Sequence, residues 1–242
     1  AAHEYGGKVV ATVVNRRHAQ RAEEYGTDAL LVTGHEAAAH GGDVTSLVLV
    51  PSIVDAVKIP VIAAGGFADG RGLAAALALG AEGIAMGTRF MATRESPLHE
   101  TFKKLSVEKD AADTLYSARF DGLPCRVLDT PAARKAIRKG LDLPAAFFTS
   151  RDIARQLRLP YAKLFVGVMA SGWRNAKQLA FMANAFRAIR IATKNGDNEK
   201  GVLTVGQVTG LVRDVPTVAE LMERIDAEAS GVRERLNRAI PA

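Results

Sequence analysis

The sequence predicts an α/β fold built on parallel strands, and three observations carry that prediction. Short apolar runs alternate with helix-sized amphipathic segments over residues 8–86. Glycine-bearing loops follow the second, third and fourth of these runs: Gly34-His35-Glu36-Ala37-Ala38-Ala39-His40, then Gly65-Gly66, then Gly87. The runs themselves are almost wholly apolar, as expected when both faces of a parallel sheet are covered. Glycine-rich loops at one end of neighbouring parallel strands leave bare backbone N–H groups where an anionic ligand can be met.

Each element has its own signal. Residues 8–14 are β-branched and apolar, so they read as a strand, and 16–25 read as a helix stopped by Gly26. Residues 28–33 form the next strand. Residues 45–57 supply a helix with Val50, Val54 and Val57 on one face, and Pro51 is placed in its first turn. Residues 61–64 are a third strand. Asp69 is a natural N-cap for a helix over 71–79, and Gly80 is its C-terminal glycine. Residues 83–86 are the fourth strand. The alternation then stops, and 96–200 reads as mainly helical. Within that stretch 115–128 can form strands around a Gly122-Leu123-Pro124 turn, and 173–193 is a long helix with Leu179, Met182, Phe186 and Ile189 on one face. Residues 195–198 are a turn, and 216–239 are one or two amphipathic helices.

Four consecutive βα units make half of a (βα)₈ barrel, and a barrel must close to satisfy its edge strands. Either the domain is an open four-stranded sheet, or the units are part of an α/β (βα)₈ TIM-barrel whose first half is absent from this sequence, and the unsatisfied edges of an isolated four-strand set favour the barrel. By pattern the chain falls into 1–95, a mainly helical 96–200 and 201–242. The missing strands would come from further residues, a partner segment or a second copy of the chain. Such an arc leaves its edges and its apolar interior face exposed.

Composition narrows the function classes. A chain of 242 residues with 48% hydrophobic and 24% charged residues is ordinary for a globular protein. The most apolar stretch, 47–66, is interrupted by Pro51, Asp55, Lys58 and Pro60, so no membrane span is expected. No signal peptide is visible, and the lone Cys125 is read as structural and suited to a reducing cytoplasm. The net charge of +6 is dispersed along helices and aromatics make up only 6%, which argues against a nucleic-acid surface.

Gly66 and Gly87 lie one strand–helix–strand step apart, so two adjacent strand ends offer backbone donors to a single phosphate, and Thr88 adds a hydroxyl. The alternative is a pair of tight turns. Arg89 either points at the same anion or meets a carboxylate on a neighbouring helix. His3, His18 and His99 fall on the terminus or on helical surfaces and are assigned no role. His40 stands out because it follows three alanines and precedes Gly41-Gly42, which leaves room for a flat ligand beside a group suited to proton transfer near neutrality. Glycines flanking this loop argue against helical i, i+4 metal ligation by Glu36 and His40, and no Gly-x-Ser-x-Gly elbow occurs.

Together Gly34 to His40, Ala64-Gly65-Gly66 and Met86-Gly87-Thr88-Arg89-Phe90 resemble the nitronate monooxygenases, formerly 2-nitropropane dioxygenases, which are FMN-dependent (βα)₈-barrel enzymes related to FMN-dependent enoyl-acyl-carrier-protein reductases. Gly206-Gln207-Val208-Thr209-Gly210-Leu211 and Asp214-Val215-Pro216 resemble the family's carboxyl-terminal return, and the resemblance spans residues 8–225. It implies His40 as the catalytic acid/base, and Gly65, Gly66, Gly87 and Thr88 as contacts of the FMN phosphate with Met86 beside them. Thr12, Ala38 and Gln207 are implied near the flavin ring or ribityl chain. The resemblance also implies that residues 1–95 are the second half of the barrel, 96–200 an inserted, mainly helical domain, and 201–242 a return to the barrel with terminal helices. The implied reaction oxidises alkyl nitronates or nitroalkanes with O₂ to a carbonyl compound and nitrite. The alternatives are an NAD(P)H-dependent reductase of enoyl thioesters or quinones, and a non-catalytic subunit that needs a partner. Two departures stand out: Ala38 or Ala39 where the family usually has glycine, and the absence of the family's amino-terminal strands from this sequence.

Overall fold

The structure is a computed structural model that describes residues 1–240 apart from Ala39, Leu157 and the side chain of Leu164. Ala39, part of the second loop motif, therefore lies outside the described residues. The chain divides into two compact units. The first comprises Ala1–Pro97, Leu105–Ala112 and the segment from Val205 onward, and the second comprises Leu98–Lys104 and Asp113–Thr204.

The first unit is built on β1 (Val10–Val13), β2 (Ala29–Thr33), β3 (Val61–Ala64) and β4 (Gly83–Ala85), paired in parallel and in sequential order. The helices α1 (Arg16–Glu24), α2 (Ser46–Val54) and α3 (Gly70–Ala78) connect them. Right-handed crossovers between strands laid down in sequence all pass on the same side of the sheet. Burial alternates accordingly. Val13, Leu30, Val32, Val61 and Ala63 are buried with Leu49, Val50, Ile53 and Ala76 from the helices. On the opposite face Val10 is 53% exposed, Thr12 is exposed, and Leu31 and Ile62 are half-buried. The expectation that both sheet faces are covered is thus corrected for one face, because sequential order supplies no crossover helix to that side.

Local signals explain most element ends. The Asp69 carboxylate accepts from the Gly72 N–H at 3.0 Å, and Gly80 holds φ +88° after α3, as a C-terminal glycine should. Asn15 caps α1 by accepting from the His18 N–H at 2.8 Å. Pro51 is a correction: it lies inside α2, well past the first turn, which begins at Ser46. Proline cannot meet the carbonyl four residues back. That carbonyl belongs to Leu47, which is 70% exposed and so within reach of water, and α2 ends soon afterwards at Val54.

After β4 come the short α4 (Thr88–Met91) and α5 (Glu100–Glu108). The second unit then forms an antiparallel pair, β5 (Thr114–Ser117) with β6 (Cys125–Leu128), followed by α6 (Pro131–Lys139), α7 (Leu143–Gln156), α8 (Tyr161–Ala170) and α9 (Trp173–Arg190). Its core gathers Phe120, Cys125, Val127, Ala132, Ala133, Ala185 and Val202. Burial pushes the Cys125 thiol up to about 12, so it is protonated and inert at neutral pH, in keeping with a structural residue. On α9 the expected apolar face is largely outward: Leu179, Met182 and Phe186 are exposed, while Ala183 and Ala185 face inward. A single helix, α10 (Val218–Ala239), follows the 3₁₀ turn Gln207–Leu211 and opens with a capping box of Thr217 and Glu220. Leu221 and Ile225 are its buried residues, and Gly70 of α3 sits so close to the Ile225 carbonyl that no side chain would fit there. Among the described residues no helix is long and apolar enough to cross a membrane.

Candidate functional site

All the candidate loops follow the carboxyl ends of their strands. Residue pairing sets Thr33 level with Ala64, and Ala64 level with Ala85. Counting outward from those pairs, Gly65 and Gly66 stand level with Met86 and Gly87, with Gly34 on the neighbouring strand.

The β2–α2 loop is tightly latched. Both oxygens of the Glu36 carboxylate lie 3.0 Å from the Ser46 N–H, and one also accepts from the Ser46 hydroxyl at 3.1 Å. A carboxylate at the amino end of α2 is favourable because the first-turn N–H groups lack helical partners. The Ser46 hydroxyl also lies 2.7 Å from the Gly65 carbonyl, so one side chain ties this loop to the glycine turn after β3. His35 Nδ1 lies 3.0 Å from the Gly42 carbonyl, and the His35 N–H donates to the Val44 carbonyl at 2.9 Å. A Cβ at Gly42 would meet the Val14 carbonyl at 2.8 Å, so only glycine lets the loop fold back against the end of β1. His35 is thus a loop brace. His40 lies exposed at the far end of the same loop.

The two glycine turns differ in kind. Gly65 and Gly66 have φ +90° and +86°, a backbone region that disfavours any side chain. Gly87 has φ −92°, which any residue can adopt, and a Cβ there would meet nothing within 4 Å. The turn at Gly87 therefore does not itself demand glycine, whereas a ligand approaching the backbone would. The N–H groups of Gly66, Gly87 and Thr88 have no acceptor among the described residues. Open space at Gly87 and these spare donors fit a phosphate monoester such as that of FMN.

The carboxyl-terminal segment closes over this end of the sheet. The Gly206 N–H donates to the Thr88 hydroxyl at 2.9 Å, and the Gln207 N–H donates to the Glu36 carbonyl at 2.9 Å. A Cβ on Gly206 would meet that same carbonyl at 2.7 Å and the Ala38 nitrogen at 3.3 Å. Thr88, Ala38 and Gln207 are thus brought together around Gly206. Arg89 resolves toward a carboxylate: its buried guanidinium pairs with Asp214 at 2.7 Å and also donates to the Asp214 carbonyl at 3.2 Å. That partner lies in the segment before α10 and not on a helix, and Arg224 holds its other oxygen at 2.8 Å. Burial pushes the Arg89 pKa down. Burial alone would raise Asp214, but the hydrogen bond from Arg224 and the two nearby guanidiniums keep it below the ordinary carboxylate value.

Two expected residues stand apart from this cluster. The Met86 side chain packs against the helix-facing core. Thr12 lies on the open sheet face of β1, level with Leu31 and not beside the glycine turns. No cluster of His, Cys, Asp and Glu suited to a metal occurs among the described residues. The Glu36–Ser46–Gly65 tie was missed by sequence reasoning, and of the Arg89–Asp214–Arg224 triad only the possibility of a carboxylate partner for Arg89 was foreseen. Their only sequence traces are an acid ahead of an apolar helix and an arginine directly after Gly-Thr.

Similarity to known proteins identifies the family. The sequence profile of the nitronate monooxygenase family matches residues 1–228. The (3aS,4S,5R,7aS)-5-hydroxy-7a-methyl-1-oxo-octahydro-1H-indene-4-carboxyl-CoA dehydrogenase of Rhodococcus jostii (strain RHA1) is 38% identical over 229 residues, covering 93% of this chain and 65% of its own length. FabK from Thermotoga maritima superposes with a TM-score of 0.74 at 35% identity, over 98% of this chain and 65% of that one. The nitroalkane oxidase from Streptomyces ansochromogenes gives 0.71 at 26% identity, over 96% and 60%. The chain thus spans just under two thirds of the length of these relatives. With a profile match over nearly its whole length and the loops in the places described, the chain belongs to the nitronate monooxygenase family.

Proposed function

We propose that this chain supplies the phosphate-binding loops and the acid/base of an FMN-dependent oxidoreductase that oxidises alkyl nitronates with O₂ to a carbonyl compound and nitrite. The observation that carries the reading is the level placement of two donor-bearing glycine turns on adjacent parallel strands, with the histidine loop tied to the first of them through Ser46. Bound FMN would supply the redox chemistry, and the protein's part is binding, orientation and proton transfer. The N–H groups of Gly66, Gly87 and Thr88 would hold the phosphate. The Thr88 hydroxyl accepts from Gly206, which leaves its own proton to donate. Gly65 shapes the turn, and Ala38 and Gln207 form the wall near Gly206. Thr12 and Met86 have weaker support, given where they lie. His40 would take the α-proton when the substrate is a neutral nitroalkane.

A second reading is favoured by the 38% identity to a protein named as a carboxyl-CoA dehydrogenase. In it the same loops and histidine serve flavin chemistry on an acyl or enoyl thioester, with NAD(P)H as co-substrate. Oxygen uptake on added nitronate without NAD(P)H supports the first reading. NAD(P)H oxidation that depends on an enoyl thioester, with no response to nitronate, replaces it with the second.

The sheet is read as an arc of a (βα)₈ barrel, with the second unit as an inserted helical domain and cytoplasmic residence fitting the buried thiol. Among the described residues β1 and β4 have no strand on their outer edges, and the uncovered face carries Val10, Leu31 and Ile62. Further strands, from the same polypeptide or from a partner, would complete it. Residues 1–242 prepared alone should then aggregate or bind FMN weakly. A stable monomer that binds FMN tightly would sink the arc reading, and would leave the loop assignments standing.

A further inference from the structure

The second unit contains a cleft of about 460 Å³ among α7, α8 and α9, a size usual for small-molecule sites. Its walls are almost entirely apolar, with Phe147, Tyr161, Phe165, Met169, Trp173 and Ala180 among them. The internal hydroxyls answer each other: Ser150 Oγ lies 2.8 Å from the Phe147 carbonyl and 3.2 Å from the Tyr161 hydroxyl. The cleft therefore makes little polar demand on what fills it. An apolar cleft open to water is also costly, since Trp173 is 70% exposed.

Charge at the cleft is one-sided. Lys177 lines it, the Arg151 guanidinium lies 6.0 Å from the centre of the Tyr161 ring, and among the described residues no carboxylate lines it. Over residues 143–190 eight lysines and arginines face a single acid, Asp152, which pairs with Arg155. This excess is spread over the helices, with Arg187 and Arg190 at other surface hollows and Lys177 the cation in the cleft lining itself. Core packing needs no such excess. An occupant with an apolar body and an anionic end satisfies both features at once.

We infer that the α7–α9 cleft binds an amphiphilic anion, its apolar body among Phe147, Phe165, Met169 and Trp173 and its charge at the Lys177 side. The shared chemistry is an acyl body joined to an anion, whether as a free carboxylate or as a thioester of an anionic carrier. The inference lies wholly within the second unit and stands whether or not the flavin reading does.

Trp173 is the chain's only tryptophan, so its fluorescence reports this cleft directly. The experiment titrates the protein with decanoate, decanoyl-CoA, coenzyme A alone and decanol. Saturable response to decanoate or decanoyl-CoA is expected, with decanol weaker and coenzyme A alone without effect. Tighter binding of decanoate than of decanoyl-CoA identifies a free carboxylate, and the reverse identifies a thioester. Lys177→Glu, on an exposed position, should weaken the anionic ligand by about 10-fold or more and leave decanol unchanged. Ala180→Phe, which narrows the cleft, should weaken all acyl ligands together. No saturable response to any acyl compound overturns the proposal. So does equal binding of decanol and decanoate that ignores Lys177→Glu. A protein-concentration-dependent association that alone shifts Trp173 emission also overturns it, because a second copy would then be the occupant.

Discussion

The two units use apolar side chains in opposite ways. In the first, the period-two pattern of β1 to β4 and the helical period of α1 to α3 meet in one core, where Leu30, Val32, Val50 and Ile53 are fully buried. In the second, α9 carries a less sharply sided apolar pattern: Leu179, Met182 and Phe186 are exposed, while Ala185, Ala188 and Ile189 pack on the core. Periodicity thus identifies a face without saying what covers it. In the first unit the cover is another element of the same unit, and that rigid packing lets short loops hold N–H groups in place. In the second unit part of the apolar surface is left exposed instead, and Leu179 from it lines the α7–α9 cleft.

Five substitutions test this contrast, beginning with the largest effect. In the flavin-bound enzyme His40→Asn should lower turnover of a neutral nitroalkane by ~10²–10⁴-fold, the usual range for a proton-transferring group, and change turnover of preformed nitronate far less. Equal losses on both substrates would make His40 a binding residue. Next, Gly87→Val should weaken FMN affinity by more than about 10-fold without loss of fold, because its backbone is unstrained and its surroundings are open. Gly65→Ala should instead destabilise the fold by about 1–2 kcal/mol through its left-handed backbone. Calorimetry of the two variants separates a ligand-driven glycine from a turn-driven one.

Asp214→Asn should cost about 1–2 kcal/mol at neutral pH, discounted because this carboxylate is part-exposed. The pH dependence follows from its lowered pKa. A carboxylate whose folded pKa is depressed contributes stability above the unfolded value of ~3.9, and that contribution is lost as pH falls through the folded value. The stability gap between wild type and variant should therefore close in acid below about pH 4. A gap unchanged down to acid unfolding would mean that the pair contributes no charge-dependent stability. The smallest effect is expected for Phe186→Ser on the outward face of α9, within about 0.5 kcal/mol. A loss of several kcal/mol would show that the face is covered in solution and would break the contrast.

Much of the first unit was legible in the sequence because its signals are local. Asp69 and Gly80 mark the ends of α3 through hydrogen-bonding capacity and φ, which depend on the residues themselves. The strands were legible as short apolar runs between helix-sized segments, although one face of the sheet proved open. The start of α2 was legible, since the expected helix over 45–57 begins at the observed N-cap Thr45, but what holds that start and where the helix ends were not. Its boundary is set by Glu36, whose carboxylate reaches Ser46 across a loop, and the proline was assigned to a first turn that lies elsewhere. The candidate site divides in the same way. Gly66, Gly87 and Thr88 announce themselves as glycine turns after strands, whereas their support from Gly206 and Ser46 depends on contacts distant in sequence.

Arg89 shows where local information ends. An arginine after Gly-Thr at a strand end can serve an anion or a carboxylate with equal chemical sense. The choice fell to Asp214, more than a hundred positions away in the chain. By itself the sequence determined the order of strands and helices, the end of the sheet that carries the glycine loops and the family to which the chain belongs, since these rest on periodicity, capping and motif. Only the tertiary structure decided which face of the sheet stays open, that Thr12 and the Met86 side chain stand away from the glycine turns, that Ser46 joins the two candidate loops, and that the apolar stripe of α9 faces outward. Those outcomes depend on which surfaces meet, and burial is a property of the pair in contact, not of either segment alone.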